Sequence, residues 1–298
     1  MRSFDDGRPF MRRYWCGDVH GEYHQILIWI PDDFLCLLKY NGHVFIDATF
    51  RSVPYPFSQC VIVMAHDAGT NEYVPCAFCL LTGRNEYLYC NMLHEIIVLL
   101  EYCWMPSHVT VDFEMALINA VKHEFRDSSL VGCFFHFKQA IHRKLKKYVK
   151  NQETSNQIAK EIELLTVIDT NDINMGIQFI ENKTQNDENT KKFWRYFRNT
   201  WIKRFPPTLW NISKISKNLV ARTNNGLERY NRRLGEHFMN AHPNLASFIS
   251  VIKKEFIFYS EKLKSIRNNS RKIGYKESFF TRPVIPSDYL EWKNSHNN

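Results

Sequence analysis

The stretch Val44-Phe45-Ile46-Asp47-Ala48-Thr49-Phe50 decides the fold. Its β-branched and aromatic residues read as a strand, and Asp47 stands in the middle of it, between Ile46 and Ala48. A carboxylate there is costly unless it is paired, hydrogen-bonded or bound to a cation. Residues 58–65 and 73–81 read as two further strands. The short Asp67-Ala68-Gly69-Thr70-Asn71 connection makes them antiparallel neighbours, with the first strand beside them in a meander.

Beyond the meander the apolar period changes. Leu88, Met92, Ile96, Leu99 and Cys103 form one stripe of a helix over 87–103, and a fourth strand, His108-Val109-Thr110-Val111-Asp112, ends on a second aspartate. A helix over 114–125, a strand over 130–135 and a basic helix over 137–150 complete the order βββαβαβα. Glu114 reads as a first-turn helix acid favoured by the macrodipole. Two aspartates on strands of one sheet suggest a shared hard divalent cation; equally, each caps a turn or pairs with an arginine. A meander followed by α-β-α-β, with acids on the first and fourth strands, is the arrangement of ribonuclease H-like nucleases and transposases, where those two strands are adjacent. The fold class expected is therefore α/β: a ribonuclease H-like mixed sheet flanked by helices and interrupted by an all-helical insertion.

The 298 residues, 44% of them hydrophobic, are enough for one large domain or two small ones and exclude disordered and collagen-like classes. No run approaches the roughly 18 apolar residues of a membrane span, and the first residues lack the apolar core of a signal peptide, so a soluble intracellular protein is expected. The charge is unevenly spread. Residues 1–136 hold 9 basic and 16 acidic side chains, and residues 137–298 hold 30 and 15. So basic a half favours a polyanion such as nucleic acid, while the acidic half is suited to holding metal ions. The eight cysteines lack the regular spacing of a disulfide scaffold and read as reduced thiols. Cys76 and Cys79, three apart in a strand, point to opposite faces and read as packing rather than zinc ligation.

The order of domains expected is a lead-in segment over 1–40, the first part of the catalytic core over 41–150, a helical insertion over 151–215, closing helices over 216–265 and a tail over 266–298. Cys16, His20, His24 and Cys36 overlap apolar runs and do not read as a zinc finger.

Four blocks in order, His43 to Phe50, Thr110 to Ala116, Gly132 to Ala140, and Thr200-Trp201-Ile202 with Arg222 to Asn231 and His242 to Leu245, resemble the catalytic core of Mutator-like element (MULE) transposases. The resemblance covers roughly residues 25–260. It implies a DDE triad of Asp47, Asp112 and Glu228 holding two Mg²⁺ (or Mn²⁺) ions for phosphodiester cleavage and strand transfer at transposon ends. Asn225-x-x-Glu228 also satisfies a helix capping box, so Glu228 has two readings at this stage. Cys133-x-x-His136 matches a small motif of this and related groups. Two ligands do not make a zinc site, and His136 reads as orienting groups near the active site or contacting DNA.

Double-stranded DNA is the implied partner. The bases expected to meet phosphate are Lys138, Arg143, Lys144, Lys146, Lys147, Arg195, Arg198, Arg229, Arg232 and Arg233, with Trp201 among the aromatics that would stack on unpaired bases. Aromatics at helical spacing are equally the mark of a core. A homo-oligomer is expected, and a nuclear location if the source is eukaryotic. The competing expectation is a domesticated, catalytically inactive DNA-binding descendant.

Overall fold

A computed structural model describes residues 3–4, 7–184, 187–214, 225–238, 241–268 and 283–296, with the side chains of 225–229 outside that description. The chain opens with a hairpin in the region read from sequence as a lead-in. Strands β1 (Met11–Val19) and β2 (Glu22–Trp29) pair antiparallel around His20-Gly21. Both turn residues have positive φ, 56° and 84°, and the Asp18 carboxylate accepts from the Gly21 amide at 2.8 Å. That backbone matches the twist of the strands it joins.

After α1 (Asp32–Lys39) come β3 (His43–Thr49), β4 (Gln59–Asp67) and β5 (Glu72–Leu81), an antiparallel meander as the sequence implies. A bulge between Val63 and Met64 faces Ala77 and Pro75, so the proline falls where the ladder is already interrupted. Then follow α2 (Glu86–Leu99), β6 (His108–Val111), α3 (Met115–Glu124), β7 (Ser129–Gly132) and α4 (Phe134–Tyr148). The sheet order is β1-β2-β5-β4-β3-β6-β7, with β3 and β6 adjacent and parallel. The fold is α/β and ribonuclease H-like, extended at one edge by the hairpin. The strand expected over 130–135 ends earlier, at Gly132. Cys133 caps the next helix, its Sγ accepting from the His136 amide at 3.4 Å, which commits 134 and 135 to α4.

The remaining helices are α5 (Gln152–Leu165), α6 (Ile173–Lys183), α7 (Glu188–Phe197), the short α8 (Pro207–Trp210), α9 (Asn225–Glu236), α10 (Leu245–Arg267) and α11 (Ser287–His296). The last corrects the reading of 266–298 as a plain tail. Tyr289 is buried, with its ring 5.3 Å from Phe179.

The chain divides into two compact units. The first comprises 1–130 and 225–277, and the second 131–224 and 278–298. In the first, α10 is anchored by Phe256, whose ring lies 5.8, 5.0 and 5.2 Å from Phe10, Phe34 and Phe78. Burying one such side chain contributes about 1.5–3 kcal/mol. Cys76 and Cys79 are fully buried free thiols of this core, and burial pushes both well above the ordinary thiol range. In the second unit Phe137 lies 4.7 Å from Trp201 and 5.1 Å from Trp210. The buried Asn211 amide there donates to the carbonyls of Leu165 and Ile168 at 2.8 Å each.

His43 opens β3 with its Nε2 2.9 Å from Thr110 Oγ1. Burial, with smaller contributions from His108 and His66, lowers its pKa from 6.5 to about 3. The folded state therefore holds it neutral, while the unfolded chain takes up a proton below 6.5. Its contribution to stability is complete above 6.5 and is lost as pH falls from 6.5 toward 3. By pH 5 the loss amounts to about 2 kcal/mol. Denaturant unfolding at pH 7 and pH 5 should show that His43→Asn removes most of this increment; an unchanged pH dependence would refute the assignment.

Candidate active site

The site grows from the register of two parallel strands. Phe45 pairs with Thr110 and Ile46 with Val111, so the next step along both chains brings Asp47 beside Asp112 on one face of the sheet. Neighbouring strands lie about 4.8 Å apart, so the two residues hold adjacent positions, Asp47 toward the C-terminal half of β3 and Asp112 just past the end of β6. Asp47 is 6% exposed, and Asn231 Nδ2 of α9 donates to its Oδ2 at 2.7 Å. The amide orients the carboxylate without cancelling its charge. Asp112 is half-buried, and its Oδ1 accepts from the Glu114 amide at 3.2 Å. The turn-capping role considered for this residue is realised in that bond.

Asn231 was not singled out from sequence as a site residue. An amide on a polar helix carries no signal of its own; the only hint was its place one turn after Glu228. Its Oδ1 is buried with no hydrogen-bond partner among the described residues. The backbone of Glu228 lies in α9, while its side chain, like that of Arg229, lies outside the described residues, as do Arg222, Thr223 and Asn224. The helix itself is fixed through Arg233, which pairs with the buried Glu255 of α10 and sits 5.4 Å and 5.5 Å from the rings of Tyr230 and Tyr259.

Glu114 departs from its sequence reading. It is the N-cap residue of α3, outside the first turn, and makes no capping bond; its Oε2 meets the Tyr89 hydroxyl at 2.9 Å. That hydroxyl also lies 2.8 Å from Gln59 Oε1. Burial, reinforced by the Asp112 charge, raises the Glu114 pKa against the lowering effect of the Tyr89 bond.

Residues 43–140 match the family model of the MULE transposase domain. Over this segment, about a third of the chain, the protein is similar to a MULE transposase domain. The segment begins on the first residue of β3 and ends in α4, so it contains both aspartates, Glu114, Cys133 and His136. No curated protein matches the chain. The match implies a transposase-related function and an interaction with DNA. No helix among the described residues is long and apolar enough to cross a membrane.

The basic residues of the chain sort by what they touch. On α4, Arg143, Lys146 and Lys147 are exposed, whereas Lys138 pairs with Glu163 and Lys144 lies 4.8 Å over the Tyr196 ring. On α7 Arg195 is exposed, and on α9 so is Arg232. Arg198 is held by both oxygens of Glu181, at 3.0 and 2.7 Å, and Arg233 by Glu255, so these two serve internal pairs. Trp201 is 1% exposed, packed on Phe137 with its indole N–H donating to the Tyr196 hydroxyl at 3.2 Å. Base stacking by Trp201 is therefore ruled out. Phe193, Trp194 and Phe197 are likewise buried in the second unit. His136 lies in the first turn of α4, its Nδ1 buried without a hydrogen-bond partner among the described residues.

Removing the Tyr89 hydroxyl removes a hydrogen bond that favours ionised Glu114 and leaves the weaker attraction of Arg84. In Tyr89→Phe, an NMR-monitored carboxyl titration should find Glu114 titrating at higher pH than in the parent protein. An unchanged or lower value would show that the hydroxyl does not stabilise the carboxylate.

Proposed function

We propose that the protein is a DDE-type transposase that cleaves phosphodiesters at transposon ends and transfers the freed strand into target DNA, with Asp47, Asp112 and Glu228 as its acids. The observation supporting this is the parallel register that sets Asp47 beside Asp112, together with a neutral donor on Asp47. Two adjacent carboxylates are hard oxygen donors and fit Mg²⁺ or Mn²⁺, with Glu228 as the third ligand on α9. Bound there, a metal pair supplies activation of the attacking water or 3′-hydroxyl and stabilisation of the leaving oxygen. The chain's own task is to hold the acids at fixed positions: β3 and β6 set two of them, and Asn231 fixes the rotamer of Asp47.

On this reading Arg143, Lys146, Lys147, Arg195 and Arg232 meet DNA phosphates, and a homo-oligomer pairs two element ends, in the nucleus if the host is eukaryotic. The alternative, an inactive DNA-binding descendant, would keep the basic surface and lose the reaction.

The test is strand transfer of a pre-cleaved end in Mg²⁺ or Mn²⁺. Asp47→Asn and Asp112→Asn should each reduce product at least about 10³-fold, as expected when metal ligation worth several kcal/mol is lost. DNA affinity should persist in both. Parent protein that binds DNA yet yields no product in either metal would overturn the enzymatic reading in favour of the inactive one.

Lys146→Ala with Lys147→Ala supplies a separate check. If both lysines meet phosphate, the slope of log affinity against log salt should become shallower by about 2. An unchanged slope would remove α4 from the interface.

A further inference from the structure

In the first unit, away from the strand ends, α2 and α3 bring together a second set of ligating side chains. Cys90 and His94 stand one turn apart on α2, so they share a face. His123 and Glu124 close the last turn of α3. Ligand atoms of Cys90, His123 and Glu124 all lie within 4.8 Å of one another. His123 Nδ1 is 2.9 Å from Glu124 Oε1, and His94 Nδ1 is 3.8 Å from Glu124 Oε2. All four line one open groove of about 560 Å³.

We propose that Cys90, His94, His123 and Glu124 form a zinc site that clips α2 to α3. A thiol, two imidazoles and one carboxylate give the S, N, N, O donor set of a borderline-soft, four-coordinate ion, unlike the all-oxygen set suited to magnesium. Zinc bonds of about 2.0–2.3 Å place tetrahedral ligand atoms roughly 3.3–3.8 Å apart, within a rotamer adjustment of the separations found here. The electrostatics agree. The Glu124 side chain is only 12% exposed, and among the described residues no lysine or arginine pairs with it; the basic groups beside it are the two imidazoles. The carboxylate also sits at the C-terminal end of α3, where the helix dipole favours a cation. This site is independent of the proposed transposition chemistry and uses none of its acids.

The test is Co²⁺ titration of the full chain followed by competition with Zn²⁺. One equivalent of Co²⁺ should give thiolate-to-metal charge-transfer absorption and tetrahedral ligand-field bands, both removed by Zn²⁺. Cys90→Ser should abolish the charge-transfer band. His123→Ala, at a side chain 63% exposed and so of little consequence for folding, should weaken affinity by at least about tenfold, the size of effect seen even for lost outer-shell partners. Cys103→Ser and Asp47→Asn should retain the band, which separates this site from other thiols and from the catalytic acids. A charge-transfer band that survives Cys90→Ser, or parent protein that shows none, would overturn the proposal.

Discussion

Everything at the candidate active site depends on the hydrogen-bonded register between β3 and β6. A carboxylate in the middle of a buried strand is tolerated only if its neighbours supply polar company, and a parallel neighbour in this register supplies a second carboxylate at the same level. Parallel strands need a crossover, provided here by β4, β5 and α2, and the ligand crevice of such sheets lies beyond the strand C-termini, the direction in which Asp47 and Asp112 are displaced along β3 and β6. A slip of one residue in either strand would turn one acid to the opposite face and dismantle the pair. The apolar runs that surround each aspartate, Val44-Phe45-Ile46 and Val109-Thr110-Val111, therefore hold the chemistry in register as well as filling the core.

That dependence explains which parts were readable in advance. Strands β3 to β5 are almost wholly buried, so their sequences are apolar runs in which an aspartate stands out, and the β-α-β-α order follows from the change of period. The hairpin β1–β2 escaped because β1 is an edge strand whose burial alternates with exposure, leaving Arg12, Arg13 and Asp18 among its apolar residues. Its one local signal was the His20-Gly21 turn. The end of β7 was misplaced for a different reason. Phe134 and Phe135 look like strand residues, and only the capping bond from Cys133 assigns them to a helix.

The aromatic-basic segment 193–204 shows where composition cannot choose. Phe193, Phe197 and Trp201 recur every four residues, which makes a stripe that either faces a core or offers a platform. The buried face is the one realised, and the intervening bases divide between solvent, as with Arg195, and internal pairing, as with Arg198 and Glu181. Charge counts along the sequence thus overstate the cations left for a polyanion. Asn231 shows the reverse failure. Nothing in its local sequence separates it from the other asparagines of the chain, and its role exists only because α9 packs against β3 and brings the amide within 2.7 Å of Asp47.

The contacts of Tyr89 impose a proton balance on this acidic cluster. Its hydroxyl has one hydrogen and faces two oxygens, Gln59 Oε1 and Glu114 Oε2, at 2.8 and 2.9 Å. Gln59 is already oriented by its Nε2, which donates to the Gly83 carbonyl at 2.6 Å, so its oxygen is the group left facing the hydroxyl. One hydrogen cannot serve both acceptors fully. When it is given to Gln59, the Glu114 contact becomes a hydrogen bond only if the carboxyl carries a proton and donates to the phenol oxygen. Burial and the neighbouring Asp112 charge push Glu114 toward that protonated form, while donation from Tyr89 pulls the other way. Two acids two residues apart thus stand in different surroundings: Asp112, just past the end of β6, accepts from the Glu114 amide, whereas Glu114 itself is pushed by burial toward its protonated form.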